Sequence, residues 1–150
     1  MKFKDPINVL CVEDEPEQLT LRQMLFESAG FGFRGARSGK QALELFANPE
    51  ISAVVMDYWM SGMNGLALAG EMKRLRPEIP IIMLSGFASL PGEGAGTVDA
   101  WLQKARTEPE ALVERVRALA ERKKSRPEVK TESTPSVKAS SKLAAQGDPI

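Results

Sequence analysis

Residues 53 to 65, AVVMDYWMSGMNG, carry an apolar run, Ala53-Val54-Val55-Met56, to a lone aspartate, Asp57, followed by two aromatics and a glycine-studded turn. A carboxylate against a hydrophobic strand is costly unless something pairs with it. Asp57 therefore either caps the turn or belongs to a site assembled from distant parts of the chain.

The rest of the chain decides what surrounds that strand. Ile7 to Val12 is another apolar run and ends in the acids Glu13, Asp14 and Glu15. From Pro16 the spacing of Leu21, Met24, Leu25, Ser28 and Ala29 predicts one face of a helix that stops at Gly30. Phe31 to Ala36 reads as a weaker strand, and Ser38 precedes a helix carrying Ala42, Leu45 and Phe46 that ends at Asn48-Pro49. After the turn at Gly62 to Gly65, Leu66, Ala69, Met72 and Leu75 recur at helical spacing up to Pro77. Residues 79–84 form an apolar strand and Ala100-Trp101-Leu102 a short one. Pro109 then opens a helix with Leu112, Val113, Val116, Leu119 and Ala120 on one face. Uniformly apolar strands alternating with helices imply a mostly parallel sheet covered on both faces. Five such units in roughly 120 residues favour an open doubly wound α/β sheet over an eight-stranded barrel.

Two stretches break this rhythm. Gly86 to Gly96 holds Pro91, Gly92 and Gly94 and is a poor helix by propensity, so a short or irregular fourth helix is expected there. From Ser125 the chain reads SRPEVKTESTPSVKASSKLAAQGDPI, with too little apolar surface to offset its ordering entropy. Residues 1–124 are accordingly expected to form one domain and residues 125–150 a disordered tail.

Composition narrows the chemistry. The chain has 150 residues with 20 basic and 20 acidic side chains, a balance that gives no global field for nucleic acid or an anionic membrane. No apolar run approaches the ~20 residues that span a bilayer. One cysteine, Cys11, lies inside an apolar strand and suggests a reducing, cytoplasmic setting. With no histidine, histidine-based triads are excluded, and with a single cysteine so are zinc sites of the usual kind.

In open α/β sheets, ligands bind beyond the carboxyl ends of the strands. Glu13 and Asp14, Asp57, Ser85 and Lys104 each stand at such an end. Alone, each has a plain explanation: acids at a helix start, a turn aspartate, a turn serine, a solvated lysine. Together they converge on one edge. Clustered carboxylates suit a hard, oxygen-liganded cation such as Mg²⁺, which commonly holds a phosphoryl group. A carboxylate oxygen can act as nucleophile and form an aspartyl-phosphate. A hydroxyl and an ammonium would then stabilise the phosphoryl oxygens.

These residues resemble the receiver domain of bacterial two-component response regulators over about residues 5 to 124. VLCVEDEP is similar to the family's first strand with its acidic pair. VVMDYWMSGMNGLAL resembles the phosphoacceptor strand and turn, IPIIMLSG the strand ending in a hydroxyl, and DAWLQKA the aromatic-x-x-lysine element. The resemblance implies a flavodoxin-like five-stranded parallel sheet of order 2-1-3-4-5. It implies Asp57 as phosphoacceptor, Glu13, Asp14, Asp57 and the Trp59 backbone carbonyl as Mg²⁺ ligands, and Ser85 and Lys104 as phosphoryl-gripping groups. Ser85 and Trp101 would be the switch pair. The phosphoryl donor would be a histidine kinase or phosphotransfer protein.

Departures sharpen the expectations. Ser61 stands where the family commonly has proline, Asn64 where it has aspartate, and Ser85 where threonine is common. Ala105 follows Lys104 where the family usually has a proline in a cis peptide. A cis bond before alanine costs ~3 kcal/mol, so a trans peptide and an altered loop are expected. Trp59 and Phe87, two residues beyond Asp57 and Ser85, are expected to exclude water and lengthen the life of the phosphate.

The leading expectation is a stand-alone receiver, itself no enzyme beyond its own phosphorylation chemistry, that signals through an unknown protein partner without touching nucleic acid or membrane. A receiver-like module working independently of phosphorylation, or a receiver fragment of a larger hybrid protein, is the alternative. A phosphatase of the haloacid-dehalogenase type would need a second aspartate where Trp59 stands. The sequence does not decide between a monomer and a homodimer.

Overall fold

The computed structural model describes residues 6–86 and 96–125. Five strands form one parallel sheet: β1 (Asn8–Val12), β2 (Gly32–Ala36), β3 (Ala53–Asp57), β6 (Ile81–Ser85) and β7 (Ala100–Gln103). Their order is β2-β1-β3-β6-β7. Two further strands, β4 (Trp59–Met60) and β5 (Met63–Asn64), make a small antiparallel hairpin just beyond β3. Leaving the hairpin aside, the sheet has the expected order 2-1-3-4-5. The hairpin itself was not anticipated, because two-residue strands carry no periodicity.

Alternation along the strands sorts the interior into two layers. Leu10, Val12, Val54, Met56, Ile81 and Met83 face α2 (Gly39–Phe46) and α3 (Gly65–Leu75), where Ala42, Phe46, Leu68, Ala69 and Met72 meet them. Val9, Cys11, Val55, Ile82 and Leu84 face α1 (Pro16–Ser28) and α4 (Pro109–Ser125), against Phe26, Leu112, Val113, Val116 and Ala120. Both faces are therefore covered, which is why the central strands could be apolar throughout.

The helix ends follow their local chemistry. The Ser38 hydroxyl accepts the Gln41 N–H at 3.2 Å and starts α2. The Asn64 side chain accepts the N–H groups of Leu66 and Ala67 at 2.8 and 3.3 Å and starts α3. After α1 the chain turns at Gly30, whose φ of 91° suits a residue without a Cβ.

Two helical faces differ from the sequence expectation. In α1 the buried residues are Arg22 and Phe26, with Leu19, Leu25 and Ala29 packed partly against the core. Leu21 and Met24, expected inside, are 58% and 63% exposed. Apolar residues encircle this helix, so its spacing allowed two stripes, and the one through Leu19, Arg22, Phe26 and Ala29 is the buried one. In α3 the buried stripe is Leu68, Ala69 and Met72, while Leu75 is exposed. Helix α4 runs through Ser125, one residue into the segment expected to be disordered. The rest of that segment, and most of the stretch expected to hold a short or irregular fourth helix, lie outside the described residues.

Candidate functional site

The register of the sheet assembles the site. Val12 pairs with Met56, Asp57 with Leu84, and Ser85 with Gln103. Glu13, Asp57, Ser85 and Lys104 thus come from four adjacent strand ends on one edge. Alternation then sets the direction of the acids: Glu13 follows Val9 and Cys11, and Asp57 follows Val55, onto the face covered by α1 and α4. Ser85 follows Met83 onto the opposite face.

Three of the four are deeply enclosed, with Glu13, Asp57 and Ser85 each 2% exposed. Lys104 begins a 3₁₀ turn, Lys104–Arg106. Its Nζ lies 3.4 Å from each carboxylate oxygen of Asp57. The alternative role for Asp57, a turn cap, is taken by Asn64, whose side chain holds the first N–H groups of α3. Asp57 Oδ1 is buried and accepts no hydrogen bond. It has cations near it, at longer range.

One of those cations was not anticipated. Arg22 of α1, 8% exposed, donates from Nη1 to Glu13 Oε1 at 2.9 Å and brings Nη2 to 3.5 Å from Asp57 Oδ1. The signal was present in the sequence: an arginine one turn before Phe26, on the stripe of Leu19 and Ala29, behind an acidic triplet. It was hidden by assigning the Leu21–Met24 stripe to the interior. Burial opposes the Arg22 charge, but Cys11, Asp57 and Glu13 around it outweigh that and raise its affinity for the proton. Burial, with Asp57 beside it, pushes the Glu13 carboxyl up to about 7. The Glu15 N–H, 3.2 Å from Glu13 Oε2, and Arg22 pull the other way. Burial also pushes the Cys11 thiol up to about 12, leaving it a neutral packing group.

Asp14 stands apart from its neighbour. Its side chain turns to the hairpin, where Oδ2 accepts the Ser61 N–H at 2.8 Å. Among the described residues, no three His, Cys, Asp or Glu side chains are grouped closely enough to hold a metal ion. The bare Asp57 Oδ1 suits a cation, and Glu13 and Asp14 line the same groove. The three acids nevertheless do not form a ready cage, because one is held by Arg22 and one by the hairpin.

The loop beyond Asp57 is fixed by a close approach. A Cβ on Gly65 would lie 2.6 Å from the Asp57 carbonyl oxygen and 3.0 Å from Tyr58 Cα, so only glycine fits where α3 departs. Trp59, in the hairpin, is 79% exposed and stands at the rim of the site. Trp101 meets Tyr58 edge-on, with ring centroids 5.9 Å apart at 83°. Its buried indole N–H has no hydrogen-bond partner. Phe87, expected to share the shielding with Trp59, lies outside the described residues. A groove of about 860 Å³ runs from Asp57 between α1 and α4, flanked by the exposed Leu21 and Met24.

Comparison with known proteins agrees with this geometry. The family model described as the response regulator receiver domain matches residues 9–117. The transcriptional regulatory protein ZraR of Escherichia coli K12 is 34% identical over 86 residues, covering 57% of this chain and 20% of that protein. A putative NtrX-like response regulator of Rickettsia bellii is 33% identical over 86 residues, covering 56% of this chain and 18% of that protein. The chain thus spans about a fifth of the length of these curated relatives. Among solved structures, the receiver domain of a Francisella response regulator superposes with a TM-score of 0.70 at 27% identity, covering 79% of this chain and 98% of that one. The Thermotoga maritima response regulator TrrA, solved in complex with Mg²⁺-BeF, gives a TM-score of 0.69 at 26% identity, covering 75% and 98%. Among the described residues no helix is long and apolar enough to cross a membrane.

Proposed function

The chain belongs to the response regulator receiver domain family of two-component signalling, and from that premise we propose that Asp57 is its phosphoacceptor. The observation that carries the reading is a carboxylate 2% exposed at the end of β3, with one oxygen lacking a hydrogen bond and an ammonium 3.4 Å from both. An Asp57 oxygen attacks the phosphorus of a phosphohistidine on a histidine kinase or phosphotransfer protein. The new O–P bond forms as the P–N bond breaks, and the departing imidazole takes a proton. Lys104 and the Ser85 hydroxyl then hold the phosphoryl oxygens.

The residues that would hold Mg²⁺ are Asp57, Asp14, Glu13 and the Trp59 carbonyl. When bound, the ion supplies positive charge at the phosphoryl oxygens. Trp101 and Ser85 form the switch. The buried, unpartnered indole N–H costs about 1–3 kcal/mol, and an edge-on aromatic contact returns about 0.5–1.5 kcal/mol. The polar group of Trp101 is thus poorly held where it stands, which supports its assignment as the movable member of the pair. Trp59 at the rim slows water's approach to the phosphate. The groove between α1 and α4 is the surface that meets the phosphodonor. Output passes through protein contacts, consistent with a balanced charge that favours no nucleic acid.

A second reading has one observation in its favour. Arg22 leaves the pocket electrically satisfied without a phosphate or metal, as a phosphorylation-independent module would need. Incubation with acetyl phosphate and Mg²⁺ separates the two on a phosphate-affinity gel. The wild type is expected to shift and Asp57→Ala to stay put. An unshifted wild type would favour the second reading.

A further inference from the structure

We propose that the Arg22 guanidinium is a tethered counter-ion of the acid pocket, which a divalent metal must displace in order to bind. The proposal rests on the reading of Asp57 as a phosphoacceptor site with Mg²⁺ at its side, and concerns what that ion has to overcome.

Three observations lead to it. Arg22 bridges Glu13, at 2.9 Å, and Asp57 Oδ1, at 3.5 Å, and so stands between two of the carboxylates a metal would need. It does so from a buried position on the inner stripe of α1, beside the apolar cluster of Cys11 and Phe26, where an apolar side chain would be the ordinary choice. With Lys104 added, two buried acids face two cations before any metal arrives. Most acid clusters repel until a cation enters, and that repulsion drives metal uptake. Here the repulsion is already relieved from within the chain.

The guanidinium and a divalent ion cannot share this ground. Two positive groups within a few ångströms in a desolvated pocket repel strongly. Displacement has a route, because Arg22 sits on the helix that walls the groove between α1 and α4. A long, flexible side chain can swing its head into that groove and leave its stem packed. The bare Asp57 Oδ1 marks the coordination that the guanidinium leaves unfilled and the ion would complete. Metal uptake would therefore move a charge from the pocket to the surface that meets the phosphodonor.

The test is calorimetric titration of Mg²⁺ into wild type, Arg22→Met and Arg22→Lys. Arg22→Met keeps an apolar stem and removes the charge, and is expected to bind Mg²⁺ at least about tenfold more tightly than wild type. Arg22→Lys keeps the charge and is expected to stay near the wild-type affinity. Equal affinities in wild type and Arg22→Met would overturn the proposal. Since Arg22→Met leaves the buried Glu13 without its cation, and Asp57 with Lys104 alone, it could fail to fold, and the wild type supplies a second measurement. Its Arg22 Nε–Hε resonance should shift on saturation with Mg²⁺, and a resonance that stays unmoved while the ion binds would also overturn it. So would labelling by acetyl phosphate that is as fast in EDTA as in Mg²⁺, which would make the guanidinium a permanent substitute. These affinities do not depend on phosphorylation, so a wild type that binds Mg²⁺ as described but never takes phosphate would sink the phosphoacceptor reading alone.

Discussion

Two arginines, one at each end of the sheet, do different work with the same chemical group. Arg22, at the carboxyl ends of the strands, faces side-chain carboxylates, Glu13 and Asp57. Arg76, beyond α3, faces mainly backbone, with the half-exposed Glu78 carboxylate 3.6 Å from its Nε. Its Nη1 donates to the carbonyls of Phe46 and Asn48 at 2.9 and 3.1 Å, and its Nη2 to those of Pro49 and Ile51 at 3.4 and 3.2 Å. It also stacks over the Phe46 ring, 5.2 Å from the centroid. The carboxylates around Arg22 have an alternative partner in any cation that enters. The carbonyls around Arg76 close the end of α2 and the approach to β3, and a free ion cannot match the planar fork that joins them. The difference teaches that a guanidinium on carboxylates is replaceable, whereas one on carbonyls is part of the frame.

The largest effect that would sharpen this contrast is expected from Arg76→Ala. Four carbonyls lose a charged donor, and we expect a loss of about 3 kcal/mol in urea unfolding, equal with and without Mg²⁺. A loss that Mg²⁺ repairs would break the comparison, because it would make the frame end of the sheet sensitive to the ion. Next, Gly65→Ala forces a Cβ against the Asp57 carbonyl, and about 2 kcal/mol should be lost at the site end. Acetyl phosphate labelling should slow in the same variant, since the loop that follows Asp57 has to shift. Unchanged labelling would show that the loop position is irrelevant to the chemistry. The smallest effect is expected at the rim. Trp59→Asn should shorten the life of the phosphorylated form several-fold at most, because a side chain 79% exposed can shield only in part. Phosphate loss no faster than wild type would remove Trp59 from the account.

How far the sequence could be read follows the same division. Alternating apolar runs and helical stripes were enough for the sheet, its order and the strand ends, since burial on both faces leaves a plain pattern. The residues at those ends, Glu13, Asp57, Ser85 and Lys104, were legible because one architectural rule places all strand ends on one edge. Arg22 was missed because the apolar residues of α1 are spread around the helix and its inner stripe could not be chosen from spacing alone. The strand parity would have helped: Cys11, Glu13, Val55 and Asp57 all point to the α1 side, so an arginine on the facing stripe had acids to meet. Arg76 was illegible for a different reason. Its partners are backbone carbonyls, which every residue carries and no pattern announces. Asp14 was read as the equal of Glu13, and they diverge because successive residues point to opposite sides of the chain, here into the pocket and out to Ser61.

The position of β1 has a kinetic consequence. The first strand made lies between β2 and β3 and pairs with both, Val9 with Phe33 on one side and with Ala53 on the other. β7, among the last parts of the domain to emerge, closes the row through β6. Pairings between such distant segments require large loops to close before they gain any contact, which slows folding relative to helical bundles. Glu13 and Lys104 belong to the first and last strands of that order, so a chain still being synthesised has its acids in place before the lysine that will face them. The order of synthesis thus makes the site a late product of folding, complete only when the whole sheet is.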